Sequence, residues 1–207
     1  MSTLGNVGVI GAGAMGSGIA QVAATAGHPV FIVDAFEGAA QRACTRITES
    51  LRKRAAQGKL DPAEAEAIAG RINPCDSADA LPECLVVIEA IIEDLDAKTE
   101  LFDILGRTQP ATTLLATNTS SLSIDQIAPA AAHPGRVLGL HFFNPPPAMK
   151  LVEVIRGETT TQAVLEAATA LVVSWGKVAV RCASTPGFIV NRVARPFYGE
   201  AQRMVQE

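Results

Sequence analysis

Aromatic residues are scarce in this 207-residue chain, which has seven Phe, one Trp and one Tyr. That shortage disfavours an aromatic-rich β-sandwich. It also has no basic excess: 17 Lys and Arg stand against 21 Asp and Glu, a net charge of −4. Without such an excess the chain is not expected to bind nucleic acid, because nothing would neutralise the phosphates in bulk. Any anionic ligand must instead be met by local cations or backbone amides. The four cysteines (44, 75, 84 and 182) form no CxxC pair, and with only three histidines no metal-ligand spacing emerges, so no metal is expected. Free thiols fit a reducing, cytoplasmic setting. No apolar run approaches 18 residues without a charge or turn, and no membrane segment is expected. What the chain does have is Ala, Val, Ile and Gly: 48% of residues are hydrophobic and only 18% charged, ample for a core.

Short apolar runs alternate with helical stretches almost from the first residue. Val7–Ile10 reads as a strand, followed by a glycine-rich turn and a helix stopped by Gly27. Val30–Val33 is a second strand, and Glu37 to Gln57 a long polar helix carrying Arg52, Lys53, Arg54 and, just beyond, Lys59. Asp61–Pro62 is a cap with proline at the first helical position. Further strands are read at Leu85–Ile92, Leu114–Thr117, Val137–Phe143, Leu151–Ile155 and Val178–Arg181, with helices at Asp94–Arg107 and Thr161–Trp175. This order predicts an α/β fold, a doubly wound, mostly parallel sheet. After Ser184-Thr185-Pro186-Gly187 a helical tail, Phe188 to Glu207, ends without a capping residue. The expectation is a first domain over 1–184 and the first helix of a truncated C-terminal helical domain over 185–207.

Gly11-Ala12-Gly13-Ala14-Met15-Gly16 fits the G-x-G-x-x-G pattern and sits between a strand and a helix. Gly11 suits a tight turn, Gly13 a close approach of backbone to a pyrophosphate, and Gly16 close helix–strand packing. The helix N-terminus would offer amides to phosphates. Asp34, 18 residues after Gly16 at the end of the second strand, would accept both adenosine ribose hydroxyls and repel a 2′-phosphate. A Rossmann-like domain binding NAD rather than NADP is therefore expected.

Ligands of such sheets lie across the carboxyl ends of the strands. The polar residues placed there are Glu93, Asn118, Ser120, His141 and Asn144. His141 lies in Gly-Leu-His-Phe-Phe, and on its own a histidine there is more often a core residue than a catalyst. Glu153, inside Leu-Val-Glu-Val-Ile, changes the balance, since an unpaired buried carboxylate costs several kcal/mol. A short polar turn joins the two strands, so carboxylate and imidazole can pair and make a general base. His28 and His133 read as solvated loop residues.

Five motifs in order, Gly11–Gly16, Asn118–Ser121, His141–Pro145, Lys150–Val154 and Pro186–Arg192, resemble the L-3-hydroxyacyl-CoA dehydrogenases, closest in look to the bacterial 3-hydroxybutyryl-CoA type. The resemblance spans essentially the whole chain. It implies reversible oxidation of an (S)-3-hydroxyacyl-CoA to the 3-ketoacyl-CoA, with NAD as cofactor. His141 matches the general base, Glu153 the carboxylate that orients it, Ser120 a hydroxyl on the reacting oxygen, and Asn191 an amide positioning substrate. Glu93, Lys98, Asn118 and Asn144 match positions touching the NAD ribose and nicotinamide. Ser50 matches a CoA-contacting serine. The family's CoA-binding lysine would fall at Gln57, with Lys53 or Lys59 as substitutes. The resemblance also implies a helical C-terminal domain through which the full-length protein forms a homodimer. Two other readings stay open here: a non-catalytic, crystallin-like NAD-binding relative, and a dehydrogenase of free β-hydroxy acids, whose members use lysine where this chain has a histidine.

Overall fold

In a computed structural model, which describes residues 4–206, the apolar runs become eight strands of one sheet. In chain order they are β1 (Asn6–Ile10), β2 (Val30–Val33), β3 (Ile72–Pro74), β4 (Cys84–Glu89), β5 (Leu114–Thr117), β6 (Val137–Phe142), β7 (Leu151–Arg156) and β8 (Val178–Ala183). Across the sheet the order is β3-β2-β1-β4-β5-β6-β7-β8. Every neighbouring pair is parallel except β6 and β7. Six α-helices lie between the strands, α1 (Ala14–Thr25), α2 (Ala39–Ala56), α3 (Pro62–Ala69), α4 (Leu95–Thr108), α5 (Ile124–Ile127) and α6 (Gln162–Ser174), and α7 (Val190–Gln206) follows the last. The doubly wound α/β architecture expected from the alternation is present.

Successive strand side chains point to opposite faces, so a continuous apolar run requires cover on both. Two separate cores supply it. Val7, Val9, Val86, Ile88, Leu114 and Ala116 pack with Ile19 of α1, Ile47 and Leu51 of α2, Ile68 of α3 and Leu171 of α6. Their sheet neighbours Ile10, Val87, Leu115 and Val137 pack on the other side, with Leu101, Phe102 and Leu105 of α4 and Ile124 and Ile127 of α5. Helix starts follow local chemistry: the Asp61 carboxylate accepts from Glu64 N at 3.0 Å, Asp94 from Ala97 N at 2.9 Å, and the Thr161 hydroxyl from Val164 N at 3.3 Å. Such caps contribute about 1 kcal/mol each.

The structure departs from the sequence reading at several points. The strand expected over Leu85–Ile92 ends at Glu89, because Glu89 turns its own carboxylate back to accept from Ile91 N at 2.7 Å. Strand β3 and helix α5, of three and four residues, are too short to leave a periodic signal. His28 is not solvated. It is 3% exposed, its Nδ1 lies 2.9 Å from Gly5 O, and its ring meets Trp175 edge-on. The cap at Gly27 marks a turn, but Trp175, at the end of α6, roofs the residue that follows.

Candidate active site

The glycine turn between β1 and α1 is shaped by close approach. Gly11 has φ +105°, and a Cβ there would lie 2.4 Å from Ala90 O. A Cβ on Gly16 would lie 1.7 Å from Gly11 O, so only glycine lets α1 start against the strand end. Gly13 is different: nothing lies within 4 Å of its would-be Cβ. It precedes α1 without a side-chain cap, so the first amides around Ala14 and Met15 face open space. That cradle, uncapped and unfilled, fits a dinucleotide pyrophosphate. Asp34 braces the turn, its Oδ2 accepting from Ala12 N at 2.6 Å and its Oδ1 from Phe36 N at 2.9 Å. It also edges a cavity of about 460 Å³ shared with Phe36, Glu37 and Gln41, where remaining lone pairs are available to a ribose.

A second cavity, about 450 Å³, opens over the carboxyl ends of β4, β5 and β6. Met15, Glu93, Asn118, Ser120, His141, Asn144 and Asn191 all reach its wall, so residues scattered over the sequence converge there. The antiparallel β6–β7 register sets His141 directly opposite Glu153. His141 Nδ1 is 2.7 Å from Glu153 Oε2, with the Glu153 and His141 side chains only 1% and 8% exposed. Glu153 Oε1 accepts from Ile189 N at 2.9 Å and Val190 N at 2.8 Å, so the amides at the entry to α7 help hold its charge. Phe143 and Phe188 flank the ring at centroid distances of 4.6 and 5.7 Å. Pairing through Nδ1 leaves Nε2 as the nitrogen for the cleft. The arrangement can take up a proton at Nε2 while Glu153 compensates the imidazolium.

The loop carrying Ser120 is organised by Glu93. Its Oε1 accepts from Thr119 Oγ1 at 2.5 Å, Ser120 N at 2.9 Å and Ser121 Oγ at 3.0 Å. Burial alone would raise the Glu93 carboxyl, but these bonds and the Lys98 charge outweigh it, and the carboxyl lies below its usual range. Asn118 Oδ1 accepts from Phe142 N at 2.8 Å, stitching β5 to β6, and Asn191 Nδ2 donates to Ser120 O at 3.2 Å. Asn144 is exposed on the turn after β6. Lys98 is 1% exposed and lies beneath the cleft surface. Its Nζ is 2.5 Å from Glu89 Oε1 and 3.4 Å from Glu93 Oε2, so it reaches the cleft only through these carboxylates. Glu89 is buried and also accepts from Thr117 Oγ1 at 2.7 Å. In sequence it registers only as an interruption in an apolar run.

A third cleft, about 490 Å³, runs between α1, α2 and the proline turn. Ser50 lines it, as does Gly18, whose would-be Cβ lies 2.6 Å from Pro146 Cδ. The cations on its wall are Arg46 and Arg54, one helical turn on either side of Ser50. Lys53 and Lys59 are exposed and lie outside that wall. Arg46 also donates from Nη2 to Ala12 O at 3.1 Å, touching the glycine turn. The i−4, i, i+4 spacing puts Arg46 and Arg54 on the same face of α2 as Ser50, but only the packing of α1 and the proline turn makes that face a cleft wall. Lys177 Nζ donates to Pro146 O at 2.6 Å and Met149 O at 2.8 Å, clamping the proline turn from behind.

Comparison with known proteins is consistent with this geometry. The family model described as 3-hydroxyacyl-CoA dehydrogenase, NAD binding domain, matches residues 6–185. The 3-hydroxyadipyl-CoA dehydrogenase of Escherichia coli (strain K12) is 49% identical over 207 residues, covering 100% of this chain and 44% of that protein. A probable 3-hydroxybutyryl-CoA dehydrogenase of Bacillus subtilis (strain 168) is 44% identical over 199 residues, 96% of this chain and 69% of its own. The crystal structure of 3-hydroxybutyryl-CoA dehydrogenase from Escherichia coli K12 superposes with a TM-score of 0.94 at 50% identity, covering 97% of this chain and 43% of that one. The chain thus spans less than half the length of the Escherichia coli relatives and about two thirds of the Bacillus one.

Proposed function

Because this chain belongs to the family of 3-hydroxyacyl-CoA dehydrogenase NAD-binding domains, we propose that it is the coenzyme-binding and proton-transferring part of an enzyme that reversibly oxidises (S)-3-hydroxyacyl-CoA thioesters to 3-ketoacyl-CoA. The observation that carries this reading is the His141–Glu153 pair at 2.7 Å on the wall of the cleft beside the glycine turn. NAD, when bound, supplies the hydride acceptor. The chain's own residues do the rest.

The amides around Gly13, Ala14 and Met15 hold the pyrophosphate, and Asp34 receives the adenosine ribose and excludes a 2′-phosphate. Glu93, with Asn118 and Asn144 on the same wall, faces the nicotinamide end, while Lys98 acts on it from below. His141 Nε2 takes the proton of the 3-hydroxyl, and Glu153 holds the ring with its acceptor facing the cleft and stabilises the imidazolium. Ser120 donates to the reacting oxygen, and Asn191, tied to the Ser120 carbonyl, positions the acyl group. The CoA phosphates lie along α2 at Ser50, held by Arg46 and Arg54 rather than by Lys53 or Lys59. The same reading gives residues 1–184 to the coenzyme domain. Residues 185–207 begin a helical domain that completes the acyl pocket and dimerises; Val193, Phe197 and Met204 of α7 are exposed for such packing. No described helix is long and apolar enough to cross a membrane, and four free thiols fit a cytoplasmic setting.

The test is oxidation of NADH by acetoacetyl-CoA, followed by loss of NADH absorbance, with a panel of longer and ω-carboxylated 3-ketoacyl-CoA thioesters beside it. Turnover with thioesters, and none with the free acids, sustains the reading. NAD binding by the full-length protein without turnover of any thioester would favour a non-catalytic relative.

A further inference from the structure

Glu89 and Lys98 are both charged and both buried, yet no step of the proposed reaction uses Glu89. Three charged groups share this corner. Glu89 Oε1 and Lys98 Nζ meet at 2.5 Å, and Lys98 Nζ reaches Glu93 Oε2 at 3.4 Å. Glu89 also takes the Ile91 amide at 2.7 Å and the Thr117 hydroxyl at 2.7 Å, so its lone pairs are committed inside the protein. One ammonium is thus divided between two carboxylates, leaving one surplus negative charge. Glu89 and Lys98 are sealed in, and Glu93 is the member with a face on the cleft, its side chain 37% exposed. The surplus is therefore presented, on a carboxylate that solvent partly screens, to whatever lies beside Glu93.

Nicotinamide is a cation when oxidised and neutral when reduced. We propose that the buried Glu89–Lys98 pair, acting through Glu93, biases this cleft toward the oxidised coenzyme, with Glu89 as a positioning residue that never touches the ligand. The proposal rests on the dehydrogenase reading, which puts the nicotinamide in the cleft lined by Glu93. It adds that the balance between the two coenzyme forms is set beneath the cleft, by the count of charges rather than by contact. Glu89 fixes Lys98 in place. Without Glu89 the full ammonium turns to Glu93 and cancels the surplus.

Calorimetric titration of the protein with NAD+ and with NADH tests this, with circular dichroism as the check on folding. Glu89→Gln brings the cluster to neutrality and weakens NAD+ about fivefold relative to NADH, about 1 kcal/mol at 1.4 kcal/mol per decade. The double variant Glu89→Gln/Lys98→Met removes one charge of each sign and returns the ratio of the two affinities to that of the parent. Thr117→Val, which deletes a bond to Glu89 but no charge, leaves the ratio where it was. Equal weakening of both nucleotides in Glu89→Gln, or a double variant that keeps the single variant's ratio, overturns the proposal. Should Glu89→Gln not fold, Lys98→Met takes its place, and the ratio must then move the other way; an unchanged ratio overturns the idea. A parent protein that binds neither nucleotide removes the dehydrogenase reading and this proposal together. Tight binding of both with an unresponsive ratio removes this proposal alone.

Discussion

Replacing Glu153 by glutamine exchanges one oxygen for an amide nitrogen at the centre of the site, and the consequences can be followed atom by atom. The amide oxygen can still accept from Ile189 N and Val190 N, which now lie 2.9 and 2.8 Å from Oε1. The NH2 group must then face His141 Nδ1 at about the 2.7 Å now occupied by an acceptor. Two donors cannot share that contact, so the ring turns over to the tautomer with its proton on Nε2. That tautomer presents a donor to the substrate hydroxyl where the reaction needs an acceptor. The imidazolium formed in the step also loses a charge-assisted bond, a difference of about 1.5–3 kcal/mol. With about 1 kcal/mol for the wrong tautomer, the barrier rises by roughly 2.5–4 kcal/mol, and kcat falls about 10²- to 10³-fold at 1.36 kcal/mol per decade. NAD affinity should stay within about twofold, because the glycine cradle and Asp34 are untouched. Steady-state oxidation of NADH by acetoacetyl-CoA, with calorimetric NAD titration beside it, reads both quantities. A variant that keeps kcat within about threefold of the parent, with the fold intact, would refute the reasoning.

Gly16→Ala puts a methyl 1.7 Å from Gly11 O, a clash that neither rigid backbone can relieve. It should destabilise the domain by about 3 kcal/mol and abolish coenzyme binding, read by denaturant unfolding and by calorimetry. Asp34→Asn keeps an acceptor for only one of the two amides, Ala12 N or Phe36 N, sets an NH2 against the other and loses the charge, and should narrow the preference for NAD over NADP. An unaltered ratio of dissociation constants contradicts the placement of the ribose. Glu93 has its carboxyl depressed from the ordinary 4.5, so the stability it adds is complete above that value. That stability drains away as the pH falls through the lower folded value. Glu93→Gln should therefore flatten the acid limb of a plot of unfolding midpoint against pH, and a limb of unchanged steepness would show that Glu93 does not feed it.

Much of the fold and half of the site can be read directly from the chain. The glycine turn, the strand-end aspartate and the cap at Asp61 are local: each depends on residues within a turn or two, where backbone sterics and hydrogen bonding act directly. The pairing of His141 with Glu153 is nearly local, since two adjacent strands joined by a turn bring them within reach, and burying a carboxylate demands a partner. What needed the tertiary structure was the antiparallel register that sets those two residues face to face, and the amides at the entry to α7, 36 and 37 residues farther on, that complete the cradle for Glu153. The burial of His28 under Trp175, the choice of Arg46 and Arg54 over Lys53 and Lys59, and the sharing of Lys98 between Glu89 and Glu93 belong to the same class. Periodicity tells which face of an element is apolar, but not which neighbour arrives to cover it or to neutralise a charge. Those choices depend on contacts distant along the sequence, and packing the sheet against its helices is what makes them.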